Sequence, residues 1–335
     1  MVNANYATDL IASTMETFYS DRPSDAVFGE QVLIAALKRG GKMTKQGGLK
    51  IVVPVMYQGS NAVGSYSGWD TFDVSPQEGL TNAEFNWKFY YATVSIDNPT
   101  LLQNRGEAAQ LRILKARIQQ AETSLADAMN ADLFLDGTGN SSKDVTGLAI
   151  AVDSSGIYGN ISRTSYAYWR SNETAVSNPL AIGGASGMRR MFNDCALGPT
   201  RATPDMLIGT QAIFEGYEAL MDPYMRFQVI DTSKPNAVYR KQNLMFRDAE
   251  VFWDDYCQSG TLYYLNSKTF ELVELEGRGA GLVEQQEDRD IGSFRVEPFQ
   301  SPWNQDAKIS QIKWAGNLIC DNPRRNGKQT GITNS

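Results

Sequence analysis

Apolar residues first gather at helical spacing between Asp25 and Arg39. Val27, Phe28, Val32, Leu33, Ala36 and Leu37 share one face there, Ser24 can cap the start, and Gly40 stops the run, which predicts a helix. Leu49 to Tyr57 is rich in β-branched residues but holds Pro54, which cannot donate to a ladder, so it reads as an edge strand or a strand of an isolated hairpin. From Gly59 to Asn82 the chain is loaded with Gly, Ser, Asn and Asp yet carries Tyr66, Trp69 and Phe72, too aromatic a mixture for a linker. Next, Phe85, Trp87, Phe89 and Tyr91 alternate on one face of a strand, while Ala92, Val94 and Ile96 continue the stripe on the opposite face. The stripe changes sides at about Tyr91, as expected of a strand running from a projecting hairpin into the body.

Asn98 and Pro99 can open a short helix through Asn104, and Glu107 to Leu135 follows as the clearest helix of the chain. Leu111, Leu114, Ile118, Ala121, Leu125 and Ala128 form one narrow seam, a core-facing stripe about three heptads long rather than a coiled coil. At 1.5 Å per residue this helix is roughly 43 Å long, and Gly137 is its natural end. A helix is also expected within Pro179 to Cys195, with Met188, Met191 and Phe192 inward, and another over Gln211 to Leu220. Strands are expected at Pro204 to Ile208, Ala249 to Trp253, Thr261 to Leu265, Phe270 to Leu275, Phe294 to Pro298 and Ile309 to Cys320. Tyr158 to Trp169 gives mixed signals and no assignment. The polar end, Asn322 to Ser335, is expected to fray. This outline is α+β, with no internal repeat.

Composition narrows what such a chain can do. With 335 residues it exceeds the size at which one core is usual, so two packed regions or one elongated body are expected. A net charge of -7 repels nucleic acid and anionic membrane, which argues against tight DNA wrapping. Residues 1–20 lack the basic start and apolar stretch of an export signal, and the longest apolar runs are too short to cross a bilayer. The absence of histidine excludes Ser-His-Asp and Cys-His nucleophiles and histidine metal sites. Cys195, Cys257 and Cys320 are too widely spaced for a metal frame and read as small buried apolar residues in a reduced compartment.

No remaining motif carries chemistry. Gly277, Gly279 and Gly281 follow a strand but lack the third glycine of a dinucleotide loop, since Leu282 stands there, and acids follow. Glu284, Glu287, Asp288 and Asp290 lack calcium-loop spacing and read as a solvated acidic loop. Arg324, Arg325 and Lys328 read as a solvated basic tail. No catalytic residue, cofactor or metal is expected, and a carboxylate or Lys enzyme would need converging acids that the spacing does not supply.

Several segments, in order along the chain, resemble the major capsid proteins of tailed bacteriophages, the Hong Kong 97-type fold. They are the hairpin from Leu49 to Asp97, Leu101-Leu102-Gln103-Asn104-Arg105-Gly106-Glu107-Ala108-Ala109, and Leu133-Phe134-Leu135-Asp136-Gly137. Val145-Thr146-Gly147-Leu148, Tyr168-Trp169-Arg170, Leu262-Tyr263-Tyr264-Leu265-Asn266 and Trp314-Ala315-Gly316-Asn317-Leu318 with Pro323-Arg324-Arg325 continue it. The resemblance implies an amino-terminal arm (1–45), an extended E-loop (46–97), a P domain (98–165) with a spine helix (107–135), an A domain (166–285), a return to the P domain (286–329) and a tail (330–335). It also implies a structural, non-enzymatic protein that self-assembles into pentamers and hexamers of an icosahedral shell around double-stranded DNA. The implied location is the virion, after synthesis in the host bacterial cytoplasm, without membrane contact.

Portal, scaffolding or decoration proteins are the further partners such a shell implies. The arm helix is expected to begin near Met1, without a counterpart to the scaffolding extension of some relatives, and no Lys–Asn crosslinking pair can be matched at Lys50 or Lys88. The hairpin has no second layer from its sequence neighbours, so its aromatic stripe would stay wet in a lone subunit. Laying it over a neighbour would bury Trp69, Phe72, Phe85, Trp87 and Phe89, the expected inter-subunit residues, at roughly 1.5–3 kcal/mol each. An encapsulin-like nanocompartment shell shares the fold and is the alternative function.

Overall fold

The computed structural model describes residues 33, 42–76, 78–99, 107–196, 202–221, 244–275, 295–296 and 299–333. The expected helix at 25–39 (apart from Leu33), the segment 101–104, the glycine run at 277–281 and the acids at 284–290 lie outside the described residues. The chain divides into two units, one containing 88–131 and 277–316, the other 32–87, 132–276 and 317–335.

In the first unit, strand β4 (Lys88–Asp97) runs antiparallel to β14 (Ala307–Cys320), from Lys88 opposite Gly316 to Asp97 opposite Ala307. The two-residue strand β13 (Arg295–Val296) pairs β14 antiparallel. The even face of β4 is apolar, and Val94 with Ile312 packs on Leu125, Ile118 and Ala121 of helix α1 (Glu107–Leu133), joined by Tyr90, Ala92 and Phe299. The expected seam therefore holds from Ile118 through Leu125 but not at Ala128, which is exposed; Met129 is buried in its place. A period of 3.6 explains the correction, because a seam already stepped by three and four residues must take another four to stay on one face. Leu111 and Leu114 have side chains outside the described residues.

Helix α1 ends two residues before the expected Leu135. The Gly147 backbone, just before the short helix α2 (Leu148–Ala151), presses on the Asp132, Leu133 and Leu135 carbonyls so closely that a Cβ there would collide with all three, and Gly137 turns the chain at a φ of 75°.

The second unit holds a six-stranded sheet. In spatial order its strands are β7 (Asn172–Ala175), β15 (Gly327–Thr330), β11 (Leu262–Leu265), β8 (Met206–Gly209), β10 (Ala249–Trp253) and β9 (Met245–Phe246). Helices α3 (Met188–Cys195) and α4 (Gln211–Met221) share one core with this sheet. Met188, Met191, Phe192 and Cys195 from α3 and Ile213 and Tyr217 from α4 meet Leu207, Val251, Leu262 and Tyr264. The expected helix within 179–195 is thus confined to its last eight residues, those with inward methionines. Elsewhere in this unit, β1 (Met43–Gln46) pairs parallel with β12 (Phe270–Leu275).

The carboxyl end corrects the expectation of a fraying tail. Strand β15 lies between β7 and β11, Ile332 is buried, and its N–H donates to the Gly260 carbonyl. Polar side chains are tolerated there because each finds a partner. Gln329 accepts from the Tyr264 hydroxyl at 2.7 Å and donates to the Ser186 carbonyl at 2.8 Å. Lys328, expected in a solvated basic cluster, is buried, its ammonium 3.3 Å from Asp153 and 3.5 Å from Glu173.

Burial alone would raise the Asp153 carboxyl, but the Ser155 backbone N–H and the Lys328 ammonium outweigh it and hold the group below its ordinary value. A lowered folded pKa supplies stability that is complete above the unfolded value, about 3.9, and lost as pH falls through the folded one. Asp153→Asn is therefore expected to be less stable at neutral pH and to lose less on acidification below about pH 4 than the parent. Denaturant unfolding at a series of pH values reads both effects.

The unassigned stretch from Tyr158 to Trp169 contains the most heavily bonded side chain of this region. A two-strand hairpin, β5 (Ile157–Tyr158) with β6 (Ile161–Ser162), turns through Gly159 and Asn160, both left-handed at φ 57° and 63°. It delivers Arg163, fully buried, under the Tyr158 ring at 4.8 Å. The guanidinium donates to the carbonyls of Ile150 (2.7 Å), Ala151 (2.8 Å), Trp169 (3.2 Å) and Ser155 (3.3 Å). Burial opposes its charge, and nearby Asp153 and Glu173 support it.

Candidate assembly surface

Strands β2 (Ile51–Met56) and β3 (Leu80–Phe85) form a two-stranded hairpin with Ile51 opposite Phe85 and Met56 opposite Leu80. Pro54 sits opposite Asn82 in a sheet of two strands, as its missing N–H led one to expect. The alternation of the ladder separates two faces. Ile51, Val55, Ala83 and Phe85 are buried, whereas Val52, Met56 and Leu80 are exposed.

The base of the hairpin is fastened within its own unit. Phe85 meets Tyr158 edge to face at 5.0 Å, Tyr57 stacks on Tyr168 at 5.2 Å, and the Glu84 N–H donates to the Gly159 carbonyl. The Trp87 indole donates to the Gly48 carbonyl at 2.9 Å, and Lys50 pairs with Glu84 at 2.7 Å. Gly159 is a tight point, since a Cβ there would lie 2.8 Å from the Phe85 ring and 2.9 Å from Ala83. Gly159→Ala, at a left-handed φ and with that overlap, is expected to destabilise the subunit by roughly 1–3 kcal/mol in thermal unfolding.

Beyond Tyr57, residues 58–76 and 78–79 form no strand and are largely exposed. A turn at the tip is closed by the Asp70 N–H donating to the Ser67 carbonyl (2.8 Å) and the Ser67 N–H to the Asp70 carboxylate (2.7 Å). Trp69 therefore projects with nothing over it, 102% exposed. Tyr66 and Phe72 contact each other edge to face at 5.0 Å, yet both stay about two-thirds exposed.

The expected contact residues thus divide. Trp69, Phe72 and Phe89 present open surface, Trp87 is half-buried and tied to Gly48, and Phe85 is 5% exposed inside its own unit. Phe85 corrects the expectation of an inter-subunit contact, and the cause is a break in the strand. The chain leaves the ladder at Asn86 and Trp87 and re-enters another as β4, so the buried face changes there and not at Tyr91. Phe89 and Tyr91 consequently stand on the exposed odd face of β4, in the other unit. Sequence reading missed the exposed Leu49, Met56, Val63, Val74, Leu80 and Trp303; an apolar residue in a Gly- and Ser-rich loop is the signal available for Val63 and Val74.

Among the described residues, no three acidic or cysteine side chains group to hold a metal ion, and no helix is long and apolar enough to cross a membrane. The three cysteine thiols are buried, which pushes each up to about 12 and leaves them poor nucleophiles.

A two-stranded hairpin, a long helix and a helix-layered sheet follow in this order on one α+β chain, and its likeness to solved structures is to capsid proteins of the Hong Kong 97-type fold. Among solved structures, the chain is similar to the capsid asymmetric unit of cyanophage A-1(L), with a TM-score of 0.71 and 15% identity over 97% of this chain and 99% of that one. The capsid of a native GTA particle matches at TM-score 0.58 and 11% identity, covering 99% and 100%. The holo-SrpI encapsulin of Synechococcus elongatus PCC 7942 matches at TM-score 0.55 and 9% identity, covering 97% and 95%. Comparison with protein-family models and with curated proteins finds no match. At these identities the likeness establishes the fold.

Proposed function

We propose that this chain is the major capsid protein of a tailed bacteriophage, a structural subunit without enzymatic activity that self-assembles into the pentamers and hexamers of an icosahedral shell around double-stranded DNA. The observation that carries the reading is the end-to-end correspondence with a chain of the cyanophage A-1(L) capsid asymmetric unit, 97% of one chain against 99% of the other. The exposed aromatic hairpin supplies the physical reason to assemble, because Trp69, Phe72 and Tyr66 are wet in the lone subunit and a neighbouring copy covers them. Trp69, Phe72 and Phe89 are the proposed contact residues, with Trp87 holding the hairpin base. Repeated around a ring, contacts of this kind become collectively strong. The place of action is the virion, and the shell's further partners are portal, scaffolding or decoration proteins.

An encapsulin-like shell is the second reading, favoured by the encapsulin match at TM-score 0.55. Electron microscopy of particles formed with the genes neighbouring this one separates the two. DNA-filled icosahedra with a portal vertex support the phage shell, and closed particles loaded with a cargo enzyme support the compartment. A monomer or dimer that resists assembly under every condition overturns both.

A further inference from the structure

Helices α3 and α4 lie in one layer over the six-stranded sheet but on different halves of it. Helix α3 touches β7, β15 and β11, whereas α4 touches β10, two strands beyond β11 in the sheet order. Their outer faces carry opposite charge. On α3, Arg189 and Arg190 are exposed in the first turn, where the helix dipole disfavours cations, and Arg247 reaches its far end through Asn193 at 2.6 Å. Arg190 is matched to Asp194 at 3.6 Å, a solvent-exposed pair that leaves the face positive. The same arginines line an open depression with Gly183, Gly184, Asn193 and Asp194, and neither glycine has a neighbour within reach of an added Cβ. On α4, Glu215 and Glu218 are exposed, with Gln211 donating to Glu215 at 2.8 Å.

A helical layer whose outer face is positive over one half of the sheet and negative over the other is complementary to a copy of itself set head to tail. In a heterologous ring each copy sets one of these faces against the other kind on the next copy. We infer that the α3 face of one subunit, Arg189 and Arg190, docks against the α4 face of a second copy, Glu215 and Glu218. The inference rests on the shell reading, and it adds a charge-matched contact distinct from the aromatic hairpin.

Three variants of the full chain test it: Arg189→Glu/Arg190→Glu, Glu215→Arg/Glu218→Arg, and the four changes combined. Each is checked for the parent's circular dichroism and thermal midpoint as an unassembled subunit, then for particle yield. Like charges facing across every contact are expected to cut the yield of each double variant by roughly tenfold or more, and the fourfold variant, with both signs exchanged, restores it. A double variant that assembles like the parent, or a fourfold variant that stays unassembled while folded, overturns the inference. Normal shells with less DNA inside from the arginine variant also overturn it, and assign Arg189 and Arg190 to nucleic acid. A parent that forms no particle sinks the shell reading itself, and this contact with it.

Discussion

Arg163→Met is expected to lower the stability of the unassembled subunit by roughly 3–5 kcal/mol, a large share of what a folded domain possesses. The guanidinium serves four carbonyls at 2.7 to 3.3 Å from a position sealed from solvent. Removing it leaves the carbonyls of Ile150 and Trp169 facing a methionine that can donate nothing, at about 1–3 kcal/mol for each group left unpaired in the interior, while Ala151 keeps the Ser171 hydroxyl as a donor at 3.3 Å. It also strips a positive charge from beside Asp153 and Glu173, whose remaining cation is Lys328 at 3.3 and 3.5 Å. Arg163→Lys separates these causes. It keeps the charge but gathers its donors at one nitrogen, which cannot span carbonyls on both sides of a planar fork, so about half of the loss is expected to remain. Denaturant unfolding followed by tryptophan fluorescence measures both. A loss below about 1 kcal/mol in Arg163→Met would put this hub in the class of ordinary surface arginines.

That hub was not legible in the sequence, and the reason is physical. Arg163 lies among Gly, Asn, Ser and Thr with no apolar period, and its burial is set by carbonyls of residues 150–155 and by Trp169, which no local pattern reveals. The carboxyl end misled for a related reason. Asn326 to Thr330 is polar throughout, yet a central strand needs backbone pairing on both sides, and its side chains can be polar if Tyr264, Asp153 and Glu173 await them. By contrast, helix α1 announced itself through a long apolar period, the β2–β3 hairpin through Pro54, and β10 and β12 through alternation between turn signals. Of the candidate contact residues, the exposure of Trp69 and Phe72 was readable because an aromatic in a Gly-rich loop has no neighbours in sequence to cover it. Phe85 was not, because identical alternation continues across the break at Asn86 and Trp87, and pairing partners decide which face is covered.

Trp69 and Phe85 should accordingly fail in opposite ways. Trp69→Asp removes a side chain that is 102% exposed at the tip of a turn, so the lone subunit is expected to unfold within about 0.5 kcal/mol of the parent. In a shell the same change puts a carboxylate where an indole is to be covered. It forfeits roughly 1.5–3 kcal/mol of apolar burial at every copy of the contact and adds the cost of desolvating a charge. Repetition around a ring multiplies that loss, and closed particles are expected to disappear. Phe85→Ala leaves the exposed hairpin tip untouched but opens a cavity between Tyr158, Gly159 and Ile51, at roughly 3–5 kcal/mol to the subunit. Its particles, where the subunit is kept folded at low temperature, should have the parent's form. Negative-stain electron microscopy beside subunit unfolding reads the two axes independently. Loss of stability in Trp69→Asp would mean that the tip packs on its own subunit, and parental assembly by that variant would move the shell contact away from the hairpin.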